Sequence, residues 1–442
     1  MTTCSMASDR ARPPAPDELR LIVRDEPLNF AEHVRRYGPL PLGPRSAGTL
    51  LTEIERSGLT GRGGAAFPTG RKLRAVIDAT RRAATARGPA DCVVVANGSE
   101  SEPASRKDAV LLSRAPHLVL DGMALVAAAT RASRAYLCVG SLLPEDERAL
   151  HSAVLDRQRS GLRHVPVEVV THPDGYLAGQ ETALISTLNG GPPRPSFVPP
   201  RPTDKGVRRR PTLVLNVETL GHIALIARFG AAWFRSAGTQ AAPGTALITV
   251  TGAVSRAAVR EIPLGTPLGQ VLERSGLRPA AQAVLTGGYF GTWLPLPGAL
   301  AVPVSEPDLR AAGAALGAGV LAVLPEDACG LAETARVTGY LATQIAGQCG
   351  PCSNGMPALA EAMNWIAFGH PDADVAGWAR QITTLIAGRG ACHLPNGAAT
   401  LARSALTVFA ADLHAHVRAG PCHRAAGSAV LPIPRLTPGL AR

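Results

Sequence analysis

Gly58-Leu-Thr-Gly-Arg-Gly-Gly-Ala-Ala-Phe-Pro-Thr-Gly-Arg-Lys72 places four glycines around Arg62, immediately before a predicted helix. Because glycine has no Cβ, its backbone adopts positive φ easily and brings N–H groups close to a ligand. Arg62 and Lys72 add positive charge to the same stretch. The stretch therefore predicts a phosphate-binding loop, although a glycine-rich loop taken alone is also typical of a tight surface turn.

The composition limits the classes of protein to which this chain can belong. Its 442 residues, 46% of them hydrophobic, suffice for about two to four globular domains. No apolar run reaches the roughly 18 residues of a membrane span, and the N-terminus lacks the apolar core of a secretory signal, so we predict a cytoplasmic protein with no direct membrane span. The net charge of +11 favours anionic partners, whereas an aromatic content of 4% argues against a nucleic-acid platform.

The region 46–236 alternates between helical and strand patterns. Short apolar strands are predicted at Cys92-Val-Val-Val-Ala, at Tyr136-Leu-Cys-Val and at Thr212-Leu-Val-Leu, with one long helix from Asp108 to about Ala132. This rhythm indicates an α/β domain, a Rossmann-like, largely parallel sheet covered by helices. Ligands of such sheets bind outside the carboxyl ends of the strands.

Three polar segments accompany these strands. They are Asn97-Gly-Ser-Glu-Ser-Glu-Pro103, Tyr176-Leu-Ala-Gly-Gln-Glu-Thr182 and Asn216-Val-Glu-Thr219. Each alone is compatible with an ordinary strand exit made of turn residues. Together, and beside the glycine loop, they predict a dinucleotide or flavin site. The side-chain amides of Asn97 and Asn216 would form hydrogen bonds with a planar ring or its ribityl chain. The carboxylates that would accept ribose hydroxyls are Glu100, Glu102 and Glu181.

The last third of the chain changes to helical periodicity. After a small α/β module, helices are predicted at about Leu331–Ile345, Met356–Phe368, Val375–Ile386 and Gly397–Val417, which indicates a four-helix bundle. The first and third loops of such a bundle lie at one end, so Cys349, Cys352 and Cys392 would meet there. Thiolates in this spacing favour an iron–sulfur cluster; a zinc site completed by His393 and plain buried thiols are the alternatives. The other cysteines are scattered: Cys4, Cys92, Cys138, Cys329 and Cys422.

The motifs quoted above resemble those of the F-type NADH-binding flavoprotein component of respiratory complex I and of its relatives in NAD-reducing hydrogenases and formate dehydrogenases. The order of the glycine loop, the two asparagine exits and the cysteine cluster is the same, and the matches run from about Ser57 to Leu406. The resemblance implies the domains 46–236 for FMN and NADH, 244–325 as a β-grasp (SLBB-like) module and 326–420 for the iron–sulfur bundle. Residues 1–45 and 421–442 would be an extension and a tail.

The resemblance also implies cofactors and their ligands. FMN and NAD(H) would be held by Gly61, Arg62, Gly63, Gly64, Phe67, Lys72, Asn97, Glu100, Glu102, Tyr176, Gly179, Glu181, Arg201, Asn216 and Thr219. A 4Fe–4S cluster, or an incomplete or 3Fe–4S form, would be held by Cys349, Cys352 and Cys392. The expected partner is a ferredoxin-like or thioredoxin-like 2Fe–2S electron-transfer subunit. No side chain is expected to act as an acid, a base or a nucleophile.

The sequence departs from the family pattern at several positions. Ala346 stands where the family has its first cluster cysteine, and Arg201 replaces an aromatic residue that stacks on adenine. The other replacements are Ala66, Ser99, Gln180 and Leu215. Because Arg201 also pairs with phosphate, we expect a relaxed preference for NADH over NADPH.

We therefore predict an FMN-dependent NAD(P)H oxidoreductase that passes electrons from NADH through FMN to an iron–sulfur cluster, and on to a ferredoxin-like or quinone-linked partner. Two alternatives remain: a cluster-free diaphorase, and a non-catalytic scaffold protein of the same type. The terminal acceptor, the fourth cluster ligand and the oligomeric state do not follow from the sequence.

Overall fold

The structure, a computed structural model, describes residues 13–15, 18–87, 91–141, 144–161, 165–370 and 372–434; Cys4 lies outside them. The α-helices are α1 (Phe30–Tyr37), α2 (Pro44–Ser57), α3 (Thr69–Arg87), α4 (Lys107–Arg114), α5 (Pro116–Thr130), α6 (Pro144–Arg159), α7 (Glu181–Leu188), α8 (Val217–Phe234), α9 (Leu268–Arg274), α10 (Glu306–Ala311), α11 (Gly330–Thr343), α12 (Met356–Phe368), α13 (Ala373–Ile386), α14 (Leu394–Val408) and α15 (Ala410–Ala419). The strands are β1 (Cys92–Gly98), β2 (Ala132–Val139), β3 (Val167–Thr171), β4 (Thr212–Asn216), β5 (Thr245–Gly252), β6 (Ala258–Pro263), β7 (Ala281–Thr286), β8 (Thr292–Pro295) and β9 (Val320–Pro325).

The first sheet is parallel throughout and has the strand order β3-β2-β1-β4. The buried valines of β1 and the leucines of β4 fill its core, as apolar strands between helices require. The register places Asn97 beside Asn216, so the ends of the two central strands meet. The predicted α/β fold with a parallel sheet is confirmed.

The single long helix predicted from Asp108 to about Ala132 is wrong. The segment forms α4 and α5, which meet at 94°. Pro116 is the first residue of α5, and Ala115 before it leaves the helical region with φ −136°. Proline cannot continue a helix because it lacks the N–H and disfavours helical φ/ψ in the residue that precedes it.

The N-terminal segment contributes to the core of the first domain. Leu21, Leu28 and Tyr37 are buried there, and α1 begins with a capping box in which Asn29 and Glu32 exchange hydrogen bonds. The resemblance led us to expect that residues 1–45 form an extension. The described part of this segment instead supplies core side chains.

The second sheet has five strands in the order β6-β5-β9-β7-β8. Its pairs are antiparallel except β5 with β9. Together with α9 and α10 it encloses a separate apolar core that contains Leu272 and Val284.

The C-terminal region consists of helices α11 to α15 around one apolar core. The fourth helix predicted here, Gly397–Val417, is in fact two helices that meet at Phe409. The break lets the Phe409 ring pack against Trp293, with ring centroids 5.5 Å apart. Within the described residues no single helix is long and apolar enough to cross a membrane. Only α4 and α5, taken together across their bend, reach that length and apolar content.

Candidate functional site

The glycine-rich stretch forms a closed loop between α2 and α3. An isolated antiparallel bridge joins Thr60 to Pro68, and the N–H of Gly61 donates to the carbonyl of Phe67 at 2.8 Å. Gly64 has φ +104°, a conformation that side-chain-bearing residues rarely adopt. The loop is therefore a fixed backbone structure.

Arg62 anchors this loop to the rest of the domain. Its N–H donates to Thr219 Oγ1 at 2.9 Å, and its buried guanidinium donates to the hydroxyl of Thr60 at 2.9 Å and the carbonyl of Thr245 at 3.1 Å. Burial lowers the pKa of Arg62, while Glu218, 3.8 Å away, opposes that shift. The charge of Arg62 is thus already paired inside the protein, and its role toward a phosphate stays a prediction.

A second cation, Lys107, lies at the centre of the site and was missed by the sequence reasoning. Its ammonium group lies 2.7 Å from Asp108 Oδ1 and 3.0 Å from Glu218 Oε2. Burial raises the pKa of Glu218, but the surrounding cations, Lys107 foremost, outweigh this effect and hold the pKa to about 2. Lys107 is the first residue of α4, the helix that follows the end of β1, and this position could have revealed it from the sequence.

The two asparagine exits converge as the sequence suggested. Asn97 Nδ2 donates to the carbonyl of Gly179 at 2.8 Å, and Asn216 Nδ2 donates to Asp108 Oδ2 at 2.7 Å. A Cβ on Gly179 would lie 2.3 Å from Ser101 Oγ and 3.0 Å from Ser99 Cβ, so a larger residue would have to displace both serines. The structure therefore brings all three polar segments to one edge of the parallel sheet.

Glu100 forms part of the framework of this edge. Its carboxylate accepts the backbone N–H groups of Asp108 and Ala109, both at 2.9 Å, and the hydroxyl of Ser105 at 2.7 Å. An acidic side chain at this place satisfies free donors at the start of α4. The expected contact of Glu100 with ribose stays a prediction.

Glu102 is buried among aromatic residues. It accepts the hydroxyl of Tyr176 at 2.9 Å and the N–H of Tyr289 at 2.8 Å. Burial raises the pKa of Glu102 to about 7, although these hydrogen bonds act in the opposite direction. Its predicted contact with NADH is likewise untested, and so is that of Tyr176.

The remaining predicted contacts lie nearer the surface. Lys72 Nζ lies 3.0 Å from Glu181 Oε1, which joins α3 to the start of α7. Phe67 is 47% exposed, and the guanidinium carbon of Arg71 lies 5.9 Å from its ring centroid. Arg201 is exposed on the segment after α7. These side chains are open to a ligand.

Ser99, one of the departures from the family pattern, is hydrogen-bonded to a buried histidine. His172 Nε2 lies 2.6 Å from Ser99 Oγ, and Nδ1 lies 2.9 Å from the carbonyl of Pro173. The two residues are 73 positions apart, and no motif linked them. The hydroxyl of Ser99 thus ties the end of β1 to His172.

The glycine loop lines a cleft of about 260 Å³. Lys107 and Glu218 also line it, and Gly317 and Gly319 contribute bare backbone to its wall. A backbone surface free of side chains admits a flat ring, and a nearby cation suits a phosphate. The residues present therefore fit FMN.

The three predicted cluster ligands are brought together. Cys352 is buried, and Cys349 and Cys392 are partly exposed. The turn Pro351–Gly355, which carries Cys352, contacts α13 and α14, the helices on either side of Cys392. Burial raises the pKa of Cys392, and the charges of Cys352 and Cys349 raise it further, so the three thiols lie within electrostatic range. This donor set fits an iron–sulfur cluster with three cysteine ligands.

The position of the missing fourth thiol is apolar. Ala346 is 9% exposed and packs in the core of the helical region. His393, the candidate substitute ligand, is exposed at the start of α14. Gln344, two residues before Ala346, accepts the N–H of Tyr176 at 2.9 Å. The segment before the cysteine loop is therefore hydrogen-bonded to the segment that begins with Tyr176.

Comparison with known proteins agrees with this geometry. Residues 54–225 match the family model of the Nuo51 FMN-binding domain, and residues 332–416 match that of the NADH-ubiquinone oxidoreductase-F iron-sulfur binding region. FMN, NAD(H) and a 4Fe–4S cluster, the cofactors that we predicted, are those of this family.

Similar proteins cover most of the chain. The F subunit of NADH-quinone oxidoreductase from Mycobacterium tuberculosis is 32% identical over 84% of this chain and 85% of its own length. Its counterpart from Streptomyces coelicolor is 31% identical over 84% of each chain. A crystal structure of NAD+-reducing [NiFe]-hydrogenase superposes with a TM-score of 0.77 at 30% identity, and covers 84% of this chain. This chain spans 63% of that hydrogenase chain. The protein therefore belongs to the family of NADH-quinone oxidoreductase F subunits.

Proposed function

We propose that the protein is an FMN-dependent NAD(P)H oxidoreductase that delivers electrons through an iron–sulfur cluster to a ferredoxin-like or quinone-linked partner. The observation that carries this proposal is that the glycine loop and Lys107 line one cleft, and that Lys107 Nζ lies 3.3 Å from Asn216 Oδ1, at the strand end where Asn216 is paired with Asn97. Bare backbone beside the buried cations Arg62 and Lys107 suits a planar, phosphorylated ring, and a purely structural loop does not require this combination.

Each group in the site has a separate task. The loop from Gly61 to Gly64 presents backbone to the ring and phosphate, and Lys72 adds a partly exposed positive charge. Asn97 and Asn216 lie side by side at the ends of β1 and β4, and their amides would form hydrogen bonds with the ring or the ribityl chain. When bound, FMN accepts a hydride from NAD(P)H and releases electrons singly. Phe67, exposed beside the loop, would cover the nicotinamide nucleotide.

The cysteine region would carry electrons out of the site. Cys349, Cys352 and Cys392 would hold the cluster, and the hydrogen bond from Tyr176 to Gln344 ties the segment before these cysteines to the segment that contains Gly179 and Glu181. We assign the five-stranded module to a β-grasp (SLBB-like) domain and the C-terminal helices to a bundle that supports the cluster. The partner would be a ferredoxin-like or thioredoxin-like 2Fe–2S protein in the cytoplasm.

An anaerobic absorption spectrum, with flavin, iron and sulfide quantified before and after NADH is added, tests the proposal. We expect bleaching of a flavin band together with reduction of an iron–sulfur absorbance. Flavin without iron would replace the proposal with a cluster-free diaphorase, which the apolar Ala346 at a ligand position favours. A colourless protein that NADH does not affect would leave only a scaffold role.

A further inference from the structure

A second group of metal-ligand side chains lies in the C-terminal region. Cys329, His416 and Cys422 place their ligand atoms within 4.8 Å of one another. Cys329 and His416 are buried, while Cys422 is partly exposed. None of the three belongs to the predicted cluster loop, and the sequence reasoning treated both cysteines as scattered.

The separations are those of ligands around one small ion. Two ligands of a tetrahedral zinc site, with Zn–S near 2.3 Å and Zn–N near 2.0 Å, lie roughly 3.5–3.8 Å apart. Cys329 Sγ lies 3.9 Å from His416 Nε2. A shift of a few tenths of an ångström would therefore bring these two atoms to ligand distance.

The histidine is held in the orientation and tautomer that a metal requires. His416 Nδ1 lies 2.9 Å from the carbonyl of Ile366, to which it can only donate. Nε2 is then the unprotonated nitrogen, and it accepts the N–H of Cys422 at 3.1 Å. A hydrogen bond from the far ring nitrogen to a carbonyl is the usual support of a metal-ligating histidine.

The three ligands come from the two ends of the helical region. Cys329 occupies the N-cap position of α11, and His416 belongs to α15. Cys349 follows the opposite end of α11, whose 14 residues span about 21 Å. The group is therefore a separate site from the cluster loop.

We propose that Cys329, His416 and Cys422 bind one zinc ion that fastens the C-terminal segment to the beginning of α11. Two thiolates and one imidazole are ligands that zinc prefers, and the two thiolates neutralise its charge. On binding, the two thiol protons pass to solvent, and the ion replaces the N–H of Cys422 at the lone pair of His416. Because Cys422 is partly exposed, water occupies the fourth position.

Elemental analysis of the full-length protein, expressed with added zinc, tests the site. We expect about one zinc per chain, and a cobalt-loaded sample should show thiolate-to-cobalt charge transfer and the visible bands of tetrahedral cobalt. Cys422→Ser removes a partly exposed ligand at nearly constant volume. It should lower zinc content and weaken cobalt affinity by about tenfold or more while leaving iron unchanged. The matched variant Cys392→Ser should lower iron and leave zinc unchanged.

Several results would overturn the proposal. One is wild-type protein that takes up neither zinc nor cobalt; another is a Cys422→Ser protein that binds both as well as the wild type does. A disulfide between Cys329 and Cys422, detected as the loss of two titratable thiols without metal, would also exclude it. If Cys422→Ser fails to fold, the cobalt spectrum of the wild-type protein tests the proposal instead. Absence of the thiolate-to-cobalt charge-transfer band would contradict it, because a site without sulfur ligands lacks that band.

Discussion

The ammonium nitrogen of Lys72 and the carboxylate of Glu181 face each other at 3.0 Å, across 109 positions of sequence. Their side chains are 21% and 35% exposed, so the pair is hydrated and contributes at most about 1 kcal/mol to folding. The ion pair therefore holds the ammonium group of Lys72 beside the glycine loop while leaving it partly exposed to solvent. This arrangement suits a residue that exchanges its carboxylate partner for a phosphate.

Replacement of that cation is the most direct test of the loop. Lys72→Met should weaken FMN binding by about tenfold, because a charge-assisted hydrogen bond contributes about 1.5–3 kcal/mol. Quenching of flavin fluorescence on titration into the apoprotein measures the Kd. Lys205→Met, at an exposed position, is the matched control. Equal affinities for the two variants would remove Lys72 from the site.

Thr219 tests whether the loop depends on its anchor. Thr219→Val leaves the buried N–H of Arg62 without its acceptor, and should lower the free energy of unfolding by about 1–3 kcal/mol. Thr219→Ser keeps the hydroxyl and should be closer to wild type. Urea unfolding measures both variants. If serine destabilised as much as valine, the hydroxyl would not be the anchor.

Glu102 should make stability depend on pH. Burial raises the pKa of Glu102 from 4.5 to about 7, so the unfolded chain releases this proton at lower pH than the folded protein does. The free energy of unfolding should therefore fall by about 3 kcal/mol as pH rises from below 4.5 to above 7.

Glu102→Gln removes this contribution, and its unfolding free energy should depend less on pH than that of the wild type. Urea unfolding at several pH values across that interval gives the comparison. Glu273→Gln, at an exposed carboxyl, should follow the wild-type curve. Parallel curves for Glu102→Gln and wild type would contradict the assignment.

Ala346→Cys tests the incomplete cluster site. The side chain is buried beside the cysteine loop, and a thiol there would supply the fourth cysteine ligand. We expect iron content to approach about four per chain and the cluster to survive air longer. Iron analysis and electron paramagnetic resonance of the reduced protein measure this. Iron content equal to wild type would show that position 346 is not a ligand position.

Arg201 tests the choice of nucleotide. Arg201→Phe removes an exposed guanidinium, so kcat/KM for NADPH relative to NADH should fall by about fivefold, the effect of roughly 1 kcal/mol. Steady-state reduction of an artificial acceptor with each nucleotide gives the ratio. An unchanged ratio, or a wild type that uses NADH alone, would refute a role in binding the extra phosphate.

The sequence predicted those features that depend on local pattern. Apolar runs followed by Asn97 and Asn216 predicted a parallel sheet with polar exits, and the structure has both. Lys107 and His172 escaped notice because Glu218 and Ser99, with which they pair, are distant in sequence, so the burial of these two side chains does not follow from the local pattern. The bend at Pro116 was missed because apolar periodicity continues through it.

Glu261, on β6 of the second sheet, accepts the N–H groups of Arg20 and Leu21, both at 2.9 Å. The guanidinium of Arg20 in turn donates to the carbonyl of Phe234 at 3.1 Å, at the end of α8. Residues 20 and 21 thus connect the end of α8, in the first domain, to the five-stranded sheet through hydrogen bonds. A shortened protein that begins at residue 46 would leave Glu261 without these donors, and the contact between α8 and the five-stranded sheet would be weaker. The amino-acid composition changes near residue 46, but the hydrogen bonds of Arg20 and Leu21 to Glu261 connect the two sides of that position.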